Sequence, residues 1–133
     1  MLREARVGRL ATADARGRPL VVPVCFVLEG DVIYSAIDAK PKRDPGRPLR
    51  RIRNLEDNPQ AALVVDEYDE DWRRLRYVMA EGTTALLSGG EEFAQAVDRL
   101  REKYPQYLSL GLAREGGTMI KLTIARLLSW KFA

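Results

Sequence analysis

Three β-rich runs fall within the first 37 positions, and the turns between them are too short to do anything but reverse the chain. Arg6 to Ala13, with VGRLATA at its centre, is followed by a polar turn containing Asp14, Arg16 and Gly17. PLVVPVCFVL, from Pro19 to Leu28, is followed by Glu29-Gly30-Asp31 and then by Val32–Ile37. A parallel crossover needs a dozen or more residues, so these runs are expected to pair as antiparallel hairpins. Pro19–Leu28 is apolar on both faces, which predicts one strand buried on both sides. Pro23 inside it removes a ladder donor and marks an edge or bulge, where backbone is left free for a ligand.

The remainder of the chain extends the pattern. Asp38–Pro48 holds three prolines and a glycine and reads as a loop. A helix is expected near Pro48–Asn58, begun by Asp44-Pro45 or by Pro48, with Leu49, Ile52 and Leu55 facing inward and Asn58-Pro59 stopping it. Ala61–Val65 and Arg76–Leu87 read as strands, the second bent near Gly82. Ser88-Gly89-Gly90-Glu91 has the form of a capping box, and Phe93, Val97, Leu100 and Tyr104 then recur at helical spacing, so a longer helix is expected near Gly89–Lys103. Pro105 ends it, a polar loop runs to Gly117, and Met119–Phe132 supplies the last strand. The order β-β-β-α-β-β-α-β, with no βαβ pattern, predicts a mainly β (α+β) fold: an antiparallel split β-barrel with two or three peripheral helices, formed by residues 1–133 as one domain.

Composition narrows the chemistry. The chain has no histidine and a single cysteine, Cys25. Histidine-based zinc sites, Ser/His/Asp triads, internal disulfides and CxxC redox pairs are therefore excluded, and no metal site is expected. An enzyme built from these residues needs a bound cofactor to carry its chemistry. No apolar run approaches the ~20 residues that span a bilayer, and the charged start MLREARVGRL does not resemble a signal peptide, so a cytoplasmic protein without a membrane partner is expected. Cys25, inside an apolar run, reads as a small hydrophobe.

The strongest site signal is the segment DAKPKRDPGRPLRRIRNLEDNP. From Lys40 to Arg53 it carries seven basic residues against the single acid Asp44, a net charge of +6, which leaves −3 on the rest of a chain whose total is +3. Unpaired N–H groups and partial positive charge gather at a helix start, so arginine and lysine placed there form a phosphate cradle. The other reading is a solvated basic helix face. No GxGxxG or GxxxxGK[ST] sequence is present, so the cradle is neither a Rossmann nor a P-loop one. The acidic segment Asp66–Asp71 lacks calcium-loop spacing and reads as a solvated loop. Trp72 beside it is either a packing or dimer contact or a wall against a planar cofactor.

These features together resemble a known family. LATADARGRPLVVPVCFVLEGDVIYSAIDAKPK, followed by LRRIRNLEDNPQAALVVDEYDEDW, is similar to the actinobacterial coenzyme F-420-dependent branch of the pyridoxamine 5′-phosphate oxidase-like split barrels, over almost the whole chain. The resemblance implies a flavin or deazaflavin whose phosphate is held by Arg50 and Arg51, with Lys40 and Lys42 nearby. It implies a ring lying against the backbone of Val22, Pro23 and Val24, with Ser35 beside Tyr34 at the end of the third strand. It also implies a homodimer with cofactor sites at the interface. The loop RDPGRP between Lys42 and Leu49 is longer than the family pattern. The histidine of true pyridoxamine phosphate oxidases is missing, so that vitamin activity is not expected.

The function expected on this basis is an F-420-dependent oxidoreductase transferring hydride to an unidentified small organic acceptor. The alternative within the fold is an FMN-binding oxidase or reductase. F-420 has a longer acidic tail than FMN, and the extra basic residues favour it. From another class comes a non-enzymatic flavin- or RNA-binding protein. No aromatic lies between Lys40 and Arg53 to stack bases, so nucleic acid is not the expected partner.

Overall fold

The computed structural model describes residues 1–37 and 49–132. Among these residues seven strands form one sheet: β1 (Gly8–Ala13), β2 (Pro19–Val24), β3 (Val27–Glu29), β4 (Val32–Ala36), β5 (Gln60–Glu67), β6 (Arg76–Leu87) and β7 (Met119–Lys131). The helices are α1 (Arg50–Asp57), α2 (Glu91–Lys103) and α3 (Gln106–Leu110), and a short 3₁₀ turn covers Trp72–Arg74. Every strand pairing is antiparallel and the sheet order is β2-β1-β5-β6-β7-β4-β3.

The closure of the sheet follows from its connectivity. β2 and β3 are its two outer strands, yet only Cys25 and Phe26 separate them. Three residue steps span at most about 11 Å, so the sheet must curl until its two edges meet at this point. The result is an antiparallel split barrel with three peripheral helices, as the order of elements predicts. α1 packs against β1 and β6.

The expectation of a single strand from Pro19 to Leu28, buried on both faces, is corrected. The run divides at Cys25-Phe26. In β2 the residues alternate, Pro19, Val21 and Pro23 outward and Leu20, Val22 and Val24 inward, because an outer strand of a curled sheet has only its concave face against the core. The strand buried on both faces is β4. Its Ile33 belongs to the cluster of Leu10, Phe26, Leu63 and Leu122, whereas Tyr34 joins a second cluster with Phe93, Val97, Leu100 and Met119 beneath α2. Cys25 is likewise exposed and is not a core hydrophobe.

Two further expectations meet the structure differently. The bend at Gly82 is present as a register shift between Glu81 and Gly82, and a Cβ there would lie 1.9 Å from the Thr123 carbonyl oxygen, which excludes every other residue. The capping box is absent. α2 begins at Glu91 behind Gly90, whose φ of 93° sets the entry of the chain, and no side chain caps it. Glu91 and Glu92 oppose the dipole from the first turn.

Candidate functional site

Where the two outer strands meet, the ladder cannot continue, and a cavity of about 250 Å³ opens beside the crossing. One wall is Pro23, Val24 and Cys25, at the end of β2. Pro23 lies opposite Arg9 of β1 and carries no N–H, a missing donor that an outer strand tolerates. A second wall is Ser35 and Ala36, at the end of β4, and Arg51 enters from α1. Val7 and the buried Tyr107 of α3 complete the lining.

The hydroxyl of Ser35, itself 4% exposed, donates to the Cys25 carbonyl at 2.8 Å. This bond ties the crossing to β4 where no strand ladder does so. α1 opens without acidic residues in its first turn and without a side-chain cap on Leu49. The start of α1 and the Arg51 side chain are therefore a donor set suited to an anion. A phosphate with a planar group extending along Pro23–Cys25 fits this combination of cationic helix start and strand-edge backbone.

Of the residues expected from the sequence, the cavity brings together Pro23, Val24, Ser35 and Arg51. Val22 lies on β2 and packs against the barrel core. Arg50 is one helical position from Arg51, about 100° around the axis, and turns elsewhere. Its guanidinium reaches the Pro19 carbonyl at 3.4 Å and lines a separate cleft of about 480 Å³ with Asp14, Arg18, Arg53 and Asp57. Tyr34 points to the opposite face of β4 from Ser35. There its hydroxyl donates to Glu92 at 2.5 Å, and burial, then the hydrogen bond to the carboxylate, push its pKa up to about 12. Glu92 is held below its usual range by Lys121, 2.7 Å away, and by Tyr34. Trp72 stands 60% exposed on the 3₁₀ turn and does not line the cavity. Lys40 and Lys42 lie outside the described residues.

The acidic segment is neutralised by arginines: Arg9 meets Asp66 at 3.0 Å, Arg76 meets Glu67 at 2.7 Å and Arg73 meets Asp71 at 2.9 Å. These are exposed pairs; the expectation of a loop over the whole segment is corrected, because Asp66 and Glu67 end β5 opposite Tyr77 and Arg76 of β6, and the turn begins only after them.

Reading the sequence alone missed Cys25, Tyr107 and the end of α2 behind the crossing. Lys103 and Tyr104 reach the Cys25-Phe26 segment, and burial, with Arg6 adding to it, lowers the Lys103 pKa to about 8. Burial also raises Tyr104. The available signal was the spacing Tyr104-x-x-Tyr107 around Pro105, which places two aromatics at the end of a helix pattern without saying what they meet.

Comparison with known proteins bears on this geometry. A family profile described as "Pyridoxamine 5′-phosphate oxidase" matches residues 1–131. A protein of Streptomyces rimosus named 5a,11a-dehydrotetracycline/5a,11a-dehydrooxytetracycline reductase is 40% identical over 93 residues, 68% of this chain and 63% of its own length. This chain thus spans less than two thirds of that curated relative. Among solved structures, an FAD-binding protein from Mesorhizobium loti superposes with a TM-score of 0.75 at 20% identity, covering 99% of this chain and 90% of that one. A structure titled F420 Reductase superposes at 0.66 with 21% identity, covering 96% and 93%. At these identities the two structures speak to the fold.

Proposed function

Because the chain belongs to the pyridoxamine 5′-phosphate oxidase family, we propose that it is a flavin-type oxidoreductase, dependent on coenzyme F-420, that reduces a small electron-poor organic acceptor. The observation that carries this reading is the convergence of Arg51, the uncapped start of α1 and the Pro23–Cys25 edge on one cavity. Similarity to a relative named as a reductase supports the direction of the chemistry. The reduced deazaflavin supplies the hydride.

The protein's own residues bind and orient. Arg51 and the first-turn N–H groups of α1 hold the phosphate through charge-assisted bonds. Pro23, Val24 and Cys25 give the ring a backbone surface, and Ser35 holds that surface by its bond to the Cys25 carbonyl. Orienting two reactants is enough to explain the absence of a catalytic triad. F-420 is preferred to FMN because its tail bears carboxylates beyond the phosphate, and the sequence segment that leads into α1 supplies further basic residues, Lys40, Lys42 and Arg43.

The protein acts as a cytoplasmic homodimer in this reading. No helix among the described residues is long and apolar enough to cross a membrane. The exposed Leu127, Trp130 and Phe132, near or on the outer part of β7, offer an apolar face of the kind that pairs. The test is a parallel titration of the purified protein with F-420 and FMN, followed by absorbance and fluorescence. Tighter binding of F-420 supports the reading, tighter FMN binding replaces its cofactor, and binding of neither ends it.

A further inference from the structure

The Cys25-Phe26 pair belongs to neither β2 nor β3, yet side chains hold its main chain. Ser35 donates to the Cys25 carbonyl at 2.8 Å. The Phe26 N–H donates to the Tyr104 hydroxyl at 3.2 Å. The Phe26 carbonyl accepts from the Lys103 ammonium at 2.9 Å and lies 3.1 Å from the Tyr104 hydroxyl, whose single proton also has the Arg6 carbonyl within 2.9 Å. The Lys103 nitrogen sits 4.1 Å from the centre of the Phe26 ring. Arg6 in turn donates to the Lys103 carbonyl at 2.8 Å and lies over the Tyr104 ring at 4.5 Å.

Phe26 is fully buried, and its side chain alone anchors the crossing to the core. Packing therefore explains why the chain passes here, but it does not fix the rotation of the peptide between Cys25 and Phe26. Hydrogen bonds to both of that peptide's polar atoms do so, because they are directional. Burying a lysine head and a tyrosine hydroxyl is unfavourable unless both are used, and here both are spent on one residue of backbone. The same stretch of backbone borders the cavity, with Val24 and Cys25 in its wall.

We propose that Lys103 and Tyr104 are positioning residues that clamp the two peptides flanking Phe26, Tyr104 through the Phe26 N–H and Lys103 through the Phe26 carbonyl, so that the wall of Pro23, Val24 and Cys25 meets the cofactor ring in one fixed orientation. This rests on the cofactor reading of the cavity. The two residues touch neither cofactor nor substrate; they act through the crossing. Freeing the peptide lets the wall rotate and exposes the ring to more than one environment.

The experiment compares the parent with Tyr104→Phe, Lys103→Gln and Lys103→Arg. Hydrogen exchange at the Phe26 amide reads the clamp without any cofactor, and titration with F-420 and with FMN reads its consequence. Tyr104→Phe removes one oxygen and keeps the ring, so it preserves the packing even where Lys103→Gln fails to fold. The Phe26 amide is expected to exchange at least about tenfold faster in Tyr104→Phe. Whichever probe the parent binds is expected to bind about tenfold more weakly to Tyr104→Phe and Lys103→Gln. The absorption band of the bound ring should move toward that of the free cofactor, and Lys103→Arg should restore both readings. Unchanged exchange in Tyr104→Phe, or unchanged affinity and bound-ring spectrum in the folded variants, overturns the clamp and leaves the cofactor site standing. A parent that binds neither probe overturns the cofactor reading itself, and with it the role given to the clamp, whatever the exchange rate.

Discussion

Arg50 and Arg51 are adjacent in the chain but face different clefts, Arg51 the cavity at the strand crossing and Arg50 the cleft shared with Arg18 and Asp57. Under the phosphate reading the two should therefore separate by mutation. Arg51→Ala removes a charge-assisted bond of about 1.5–3 kcal/mol, lowering cofactor affinity by roughly one to two powers of ten. Arg50→Ala is expected to change it less than threefold, since its contact is the Pro19 carbonyl. Equal losses measured by fluorescence titration would reject this division of labour.

A buried polar pair joins α1 to the barrel and offers a stability test independent of the cofactor. The Asn54 amide donates to the Thr12 hydroxyl at 3.0 Å, and both residues are buried. Thr12→Val keeps the volume and leaves the amide unsatisfied, so a loss of about 1–3 kcal/mol is expected in urea unfolding. Because the pair ties α1 to β1, cofactor affinity should fall as well.

The lowered pKa of Lys103 makes a signed prediction about alkaline pH. With a folded value of about 8 against an ordinary 10.5, the unfolded chain binds more protons than the folded one between these limits. Stability must then rise with pH across that window, as the cost of holding a charged head among Phe26, Arg6 and Tyr104 is relieved. Tyr34, raised to about 12, acts in the opposite sense only above about pH 10. Unfolding midpoints measured at pH 7.5, 8.5 and 9.5 (about the lower part of the window) should show the parent gaining on Lys103→Gln. A constant difference between the two proteins would contradict the linkage.

Tyr77 and Trp130 stack across β6 and β7 with ring centroids 5.9 Å apart and planes inclined by 19°, both substantially exposed. If this face pairs with a second copy, Trp130→Glu should convert the dimer to monomer in light scattering at micromolar concentration while leaving the circular dichroism unchanged. A parent that is itself monomeric under these conditions would count decisively against the interface.

How much of this was legible beforehand differs by element. Hairpin turns, the helix preceding Asn58-Pro59 and the Phe93-to-Tyr104 helix are written in local spacing, because turn chemistry and periodicity act over a few residues. The absence of histidine limited the chemistry at once, and the basic run around Arg50 and Arg51 marked the helix start as a candidate anion site. What local pattern could not reveal is which strands lie at the edges. PLVVPVCFVL looks like one buried strand because its apolarity is continuous, but the sheet order makes its halves the two outer strands of a curled barrel. That arrangement exposes Cys25, covers both faces of β4 so that Tyr34 and Ser35 enter different environments, and brings Lys103, 77 residues along the chain, onto the Phe26 carbonyl. Such contacts depend on closure of the whole sheet, a property of long-range pairing that no window of neighbouring residues contains.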